Sequence, residues 1–234
     1  MARGLREPLP DGVGSQTLDR GLAVLEAVAT SPEPLTVAEV AQRCSLHRSI
    51  AYRMVRTLEH RGLVVRDAEG RYAGGARLAA LGRGVAPTLR EVAAPRLASL
   101  AEATGTTAFL VVAEGGLAVT VHVEEPRTSL VHVAYRPGLS HRLDAGAPGL
   151  ALLAGGPPLP GERTEVGVAR VRGWASSHGE VIPDYRSCAA PVLDGGGRCV
   201  AAVGVVFVAS GPPGPELAGE VVATARKIGA ALVG

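Results

Sequence analysis

Four side chains at helical spacing carry the strongest chemical signal in the sequence: Ser49, Tyr52, Arg53 and Arg56. Separations of three and four residues gather them on one face of an α-helix, so guanidinium, phenol and hydroxyl groups stand side by side. A guanidinium grips phosphate oxygens or reads a guanine edge through two parallel hydrogen bonds, and hydroxyls satisfy phosphates or base edges. The complementary stripe, Ala51, Met54, Val55 and Leu58, is apolar and offset by two residues. That offset is about 200° around the helix, so one face is buried while the other presents its polar groups outward. Any solvated helix face is charged, however, so the elements around this one decide what it does.

Other groupings carry less. Cys44 and His47 have ligand-like spacing, but no second pair accompanies them, and Cys44 suits a buried position better than a metal. His122 and His132 lie on different expected strands, where solvated or core roles suffice. His178, Glu180 and Asp184 are close enough in sequence for a zinc site or an acid/base pair, but no further ligand joins them. No nucleophile elbow, P-loop or spaced GxGxxG occurs. The expectation is therefore no catalytic residue, no metal and no cofactor.

The elements that must position the polar stripe are legible. Gln16 to Ala29 repeats apolar residues at helical spacing (Leu18, Leu22, Leu25, Ala29), with Ser15 or Thr17 as its cap. Thr36-Val37-Ala38-Glu39 is a capping box, opening a short helix to Arg43. Cys44-Ser45-Leu46 has room only for a tight turn, and a third helix follows from about His47 to His60, stopped by Gly62. Leu63–Arg66 and Gly70–Ala73 read as two short strands about Asp67-Ala68-Glu69-Gly70. Helix, helix, tight turn, helix and hairpin is the order of a winged helix-turn-helix. In that frame Arg48 faces backbone phosphate, and Arg66 or Arg71 faces the groove beside the wing.

Charge agrees. The whole chain is only +2, yet Val40 to Arg66 holds six arginines and one acid, Glu59. Residues 1–86 carry 12 arginines against 9 acids, whereas the remainder carries 12 basic residues against 13 acids. A local basic cluster in a near-neutral chain suits double-stranded DNA. Aromatics are 3% of residues, which excludes stacking platforms for single-stranded nucleic acid. The longest apolar run, Cys199 to Ala209, is too short for the roughly 20 residues of a spanning helix. With three unpatterned cysteines and no signal peptide, a reducing cytoplasm fits.

Beyond the wing, Ala76–Val85 and Thr88–Thr104 read as helices, the second kinked or restarted at Pro95. Runs rich in β-formers then appear at Thr107–Ala113, Leu117–Val123 and Ser129–Ala134. A short helix over Ala147–Ala154 follows, then a hairpin from Ser187–Leu193 and Arg198–Val208, and a final amphipathic helix over Pro215–Val233. At 234 residues the chain divides best into a disordered tail (1–14), a winged helix-turn-helix (15–84), a joining helix (85–104) and an α+β sensor domain (105–234).

Ser15 to Leu25, Tyr52 to Gly62, and Arg71-Tyr72 with Gly75 resemble the N-terminal domain of IclR-type transcriptional regulators. The likeness resumes at Gly138 and Ala147-Pro148-Gly149-Leu150-Ala151-Leu152-Leu153-Ala154. It is strong at Arg172-Gly173-Trp174, Gly179-Glu180 and Ala189-Ala190-Pro191-Val192. The resemblance implies an α+β protein in which the DNA-binding domain is joined by a helix to a GAF-like effector domain. It implies a homodimer or dimer of dimers, a repressor on palindromic promoter DNA, with no membrane partner. DNA contacts would fall to His47, Arg48, Ser49, Tyr52, Arg53, Arg56, Arg66 and Arg71. The effector pocket would fall on Leu130, Ala147, Pro148, Gly149, Ser176, Ser177, Glu180, Ser187, Gly204 and Val206.

Four departures from the family pattern stand out. His47 occupies the place of a small capping Ser, which suggests a DNA contact rather than a cap. Arg142 replaces a proline, and the stretch from Ala154 to Val168 is short, with Gly155-Gly156-Pro157-Pro158 where a helix is expected. Gly204 and Val206 are apolar where relatives carry polar groups, pointing to a small, mainly apolar effector with one polar end, such as a small or aromatic carboxylate met by a helix N-terminus at Gly149. Two alternatives stay open: a pocket that has lost its ligand, and a ligand-binding or catalytic domain whose helix-turn-helix serves protein contacts only.

Overall fold

The computed structural model describes residues 14–82, 84, 86–127, 135–208, 211 and 213–232. The chain forms two units, residues 1–85 and 86–234. The expected tail up to Gly14, the strand Ser129–Ala134 with Leu130 and His132, and the end of the helix Ala76–Val85 lie wholly or partly outside the described residues.

In the first unit α1 (Gln16–Ala29), α2 (Val37–Arg43) and α3 (Arg48–His60) precede a two-stranded antiparallel wing, β1 (Val64–Arg66) and β2 (Tyr72–Gly74), and a short α4 (Arg77–Gly82). Its core gathers Val24 and Val28 from α1, Val40 and Ala41 from α2, Ala51 and Val55 from α3, with Leu35, Val64 and Tyr72. Burying a Val or Leu side chain contributes about 1.5–3 kcal/mol, so these few residues hold three helices and a hairpin together. The strand after the wing turn is anchored twice, because Leu35 and Tyr72 exchange both backbone hydrogen bonds at 2.8 and 2.7 Å. One expectation for α1 fails. Leu18 and Leu22 are 62% and 48% exposed, because the helix turns Val24 and Val28 inward instead.

In the second unit α5 (Pro87–Thr104) leads into a sheet and packs on it, so this helix is part of the unit's core. It runs through Pro95 without a restart. Among the described residues the sheet has six antiparallel strands. In chain order these are β3 (Thr107–Glu114), β4 (Leu117–Glu124), β5 (Ser140–Arg142), β6 (Ala175–His178), β7 (Arg186–Leu193) and β8 (Cys199–Phe207). Their spatial order is β5-β4-β3-β8-β7-β6.

Alternation along the strands divides two cores. Leu110, Ala190, Val203 and Val205 face α5 and the C-terminal α8 (Pro215–Ala231), which contributes Val221, Ala225 and Ile228. Phe109, Val111, Ala189, Ala202 and Val206 face α6 (Gly146–Ala154), behind which lies α7 (Thr164–Arg172). Residues 155–163 carry no helix; Arg170 of α7 closes this stretch through bonds to Glu162 (2.6 and 3.0 Å), Leu153 O and Gly156 O. Neither α7 nor the edge strands β5 and β6 stood out in the sequence, since each is short and lacks a strong apolar period.

Candidate nucleic-acid interface and effector cavity

The recognition helix is positioned by local bonds first. Glu39 Oε2 accepts from the Thr36 amide at 2.7 Å while Thr36 Oγ1 accepts from the Glu39 amide at 3.3 Å, completing the capping box of α2. Hydrogen bonds from the Thr36 backbone and hydroxyl hold the Glu39 carboxyl below its ordinary pKa. The turn closes as Leu46 N–H reaches Ala41 O at 2.8 Å, with Ser45 in the left-handed region at φ 52°. Cys44 is half-buried against Ala23 O, and burial pushes its thiol pKa up, which suits packing.

His47 is the N-cap of α3. Its Nδ1 accepts from the Ser49 amide at 3.4 Å and lies 2.8 Å from Ser49 Oγ. The expectation of a contact in place of a cap is thus corrected: the imidazole performs the capping role of the smaller side chain. An accepting Nδ1 leaves the proton of the neutral ring on Nε2, so the exposed ring retains a donor.

From the cap, α3 sends Ala51 and Val55 into the core and leaves Ser49, Tyr52, Arg53 and Arg56 exposed. Among the described residues the guanidinium groups of Arg48 and Arg53 have no hydrogen-bond or ion-pair partner, whereas Arg56 Nη1 sits 2.8 Å from Glu59 Oε2. That exposed pair is worth only about 0.5 kcal/mol, so Arg56 exchanges it for a phosphate at little cost. Arg66 lies over the Tyr72 ring, 5.9 Å from its centroid. Arg71 is tied more firmly, donating to Pro34 O at 2.9 Å and pairing with Glu39 at 3.6 Å, so it braces the wing against α2.

In the second unit a cavity of about 10 Å³ lies beside the start of α6, room for a single water. Pro148, Ser177, Glu180, Ser187 and Val206 line it. Ala147 borders it through an amide donated to Ser177 Oγ at 2.8 Å. Three other expected positions do different work. Ser176 pairs with Cys188, which faces the opposite core, while Ser177 pairs with Ser187 on the cavity side. Gly149 is not at the helix N-terminus, which begins at Gly146. A Cβ there would overlap the Leu143 carbonyl oxygen, so its glycine serves close packing. Gly204 likewise admits Phe109 and the Cys188 carbonyl. Leu130 lies outside the described residues.

Sequence reasoning missed Tyr135, Val181, Ile182, Tyr185 and Arg186, which complete the lining. Most come from irregular backbone, where no periodicity points inward. Tyr135 stacks on Phe109 with centroids 4.6 Å apart, and burial raises its phenol pKa. Glu180 does not meet His178 or Asp184 as an acid/base pair. Its carboxylate accepts from Arg163 Nη1 at 2.8 Å and from the Gly146 amide at 2.9 Å. Burial pushes the Glu180 pKa up, but those bonds outweigh it and leave a net lowering. Among the described residues no three metal-capable side chains cluster, and no helix is long and apolar enough to cross a membrane.

A capped helix with an exposed arginine face, followed by a wing, defines a winged helix-turn-helix DNA-binding protein carrying a second α/β domain. Residues 17–68 match the family model of the IclR helix-turn-helix domain. The chain is 31% identical to the HTH-type transcriptional regulator BhcR of Paracoccus denitrificans, over 86% of this chain and 79% of that one. It is 31% identical to the glycerol operon regulatory protein of Streptomyces griseus, over 92% and 97% respectively. A crystal structure of an IclR homologue from Microbacterium hydrocarbonoxydans, complexed with 4-hydroxybenzoate, shares the fold with a TM-score of 0.75 at 24% identity, over 92% and 98%. The chain belongs to the IclR family of DNA-binding transcriptional regulators, and its relatives are regulators rather than enzymes.

Proposed function

We propose that this protein is a cytoplasmic repressor that binds palindromic promoter DNA as a homodimer or dimer of dimers and is switched by a small molecule held in its second unit. The observation that carries the reading is the outward face of α3, where Arg48 and Arg53 are exposed and, among the described residues, unpartnered beside Ser49, Tyr52 and Arg56. Arg53 and Arg56 would reach base edges or phosphates, Arg48 and the His47 ring the backbone at the helix start, and Arg66 the groove beside the wing. Arg71 would act through the placement of the wing, since its guanidinium is already bonded. The division into tail, DNA-binding domain, joining helix and effector domain supports a switch in which α5, packed on the sheet, passes a change in the effector unit toward the DNA-binding unit. A small molecule in a fold of this kind is seen in the Microbacterium homologue. Repression comes from the family resemblance, and deleting the gene should raise transcription from its target promoter.

Footprinting on promoter DNA, paired with sedimentation of the complex, tests the assembly. Two protected half-sites with centres about 34 Å apart, or a multiple of it, are expected, with an even number of chains bound. One half-site bound by one chain would contradict it.

A further inference from the structure

The outward face of α7 is built unlike a solvated one. The helix turns Val166 and Ala169 into the core beneath α6. On the opposite side, at the spacing i, i+3, i+4 and i+7, stand Thr164, Gly167, Val168 and Val171. Val168 is 50% exposed and Val171 92%. Together with Arg163 and Arg172 these four line a groove of about 630 Å³. A valine left almost bare on a helix gains no burial and is a poor helix former. Gly167 sharpens the point. Glycine inside a helix is less stable than alanine, yet a Cβ at Gly167 would meet no atom within 4 Å. Nothing inside the chain requires the missing side chain; a second helix approaching from outside would.

The charges beside the stripe decide which helix fits. Glu165 near the start of α7 and Arg172 at its end are seven residues apart, close to two full turns, so both flank the same edge of the stripe. When two copies of a helix pack antiparallel about a two-fold axis, each edge meets the same edge of the other copy, run in reverse. Glu165 of each copy then faces Arg172 of the other, Thr164 faces Val171, and Gly167 and Val168 lie at the axis. The antiparallel helix dipoles favour the same arrangement. Glu165 has an exposed pair with Arg163 at 3.2 Å, which is exchanged at little cost. Arg172 is held at the end of the helix by the Trp174 ring, 3.6 Å from its centroid.

We propose that the outward face of α7 packs antiparallel against α7 of a second copy and thereby joins two dimers into a dimer of dimers. The inference rests on the reading of the chain as a homodimer or dimer of dimers, and it decides between them. A nine-residue helix offers far less than the roughly 1,600 Å² of a standard interface, which suits a joint between dimers better than the primary dimer contact.

Sedimentation velocity of the full chain over a hundredfold concentration range tests it. Four copies are expected at the upper end, and Val171→Asp should halve that mass while circular dichroism shows the fold intact. Arg172→Glu should halve it too, and adding Glu165→Arg to that variant should restore four copies. Under mild oxidation Val168→Cys should link chains in pairs across the axis, a product absent from the unaltered chain. A folded Val171→Asp that keeps four copies overturns the proposal and leaves the face to a different partner protein. An unaltered chain that never exceeds two copies also overturns it, with the homodimer still standing. A single chain at every concentration, and one chain on DNA, sinks the assembly reading itself.

Discussion

The starts of α3 and α6 face the same electrostatics and resolve them in opposite ways. At α3 a single imidazole caps the first turn, and the helix then presents exposed arginines of which Arg48 and Arg53 have no hydrogen-bond or ion-pair partner among the described residues. At α6 every amide of the first turn is bonded within the chain, and a carboxylate is drawn in to complete it. The first arrangement is a surface held ready, since a rigid duplex has to be met by groups already displayed. The second is a helix start whose amides and neighbouring polar side chains satisfy one another. One region displays its polar groups; the other turns them on one another.

Substitutions can break this contrast region by region. Leu150 is fully buried between α6 and the sheet, so Leu150→Ala should cost about 2–5 kcal/mol of stability through the void it leaves. Thermal unfolding followed by circular dichroism would show the drop, while the folded fraction keeps its DNA affinity. Arg53→Ala should do the reverse. Its loss of about 1–3 kcal/mol should appear in DNA affinity by fluorescence anisotropy, with the melting temperature unmoved, because among the described residues the exposed guanidinium has no hydrogen-bond or ion-pair partner. Thr36→Ala lies between the two: removing half of the capping box should cost about 1 kcal/mol of stability and weaken DNA binding only through fraying of α2.

Acid should affect the closed region most gently. The bond from Arg170 holds the Glu162 carboxyl below its ordinary 4.5, and Glu180 is lowered as well. Groups depressed in the folded state stabilise it above their unfolded pKa and lose that contribution as pH falls through the folded value. Between pH 7 and 5 these pairs should leave the melting temperature unchanged, with a decline setting in below about 4.5. Glu162→Gln should shrink that decline, and a melting temperature that climbs on acidification would refute the assignment.

How much of this was legible in the sequence follows from the range of the interactions. The capping box, the α3 stripe and the wing turn are written within a few residues of one another, and each element appears where its local signals place it. The cavity is written across long separations. Glu180 meets Gly146 from 34 residues away, and Ser177 meets Ser187 only because the register of β6 on β7 aligns them. A shift of one residue in that register would have brought Ser176 to the cavity instead, and no local pattern distinguishes the two serines. Gly149 and Gly204 look the same in sequence as ligand-facing glycines, yet both mark places where backbone or ring approaches too closely for a Cβ. The family resemblance pointed to this stretch of the chain, and strand pairing decided which of its residues line the cavity.

The central claim is that the α3 face reads DNA, and binding to the region upstream of the protein's own gene tests it most directly. Fluorescence anisotropy at two salt concentrations, with a scrambled competitor, should show tight, sequence-selective binding that weakens steeply as salt rises, because phosphate contacts release counterions. No binding even at low salt would contradict the account.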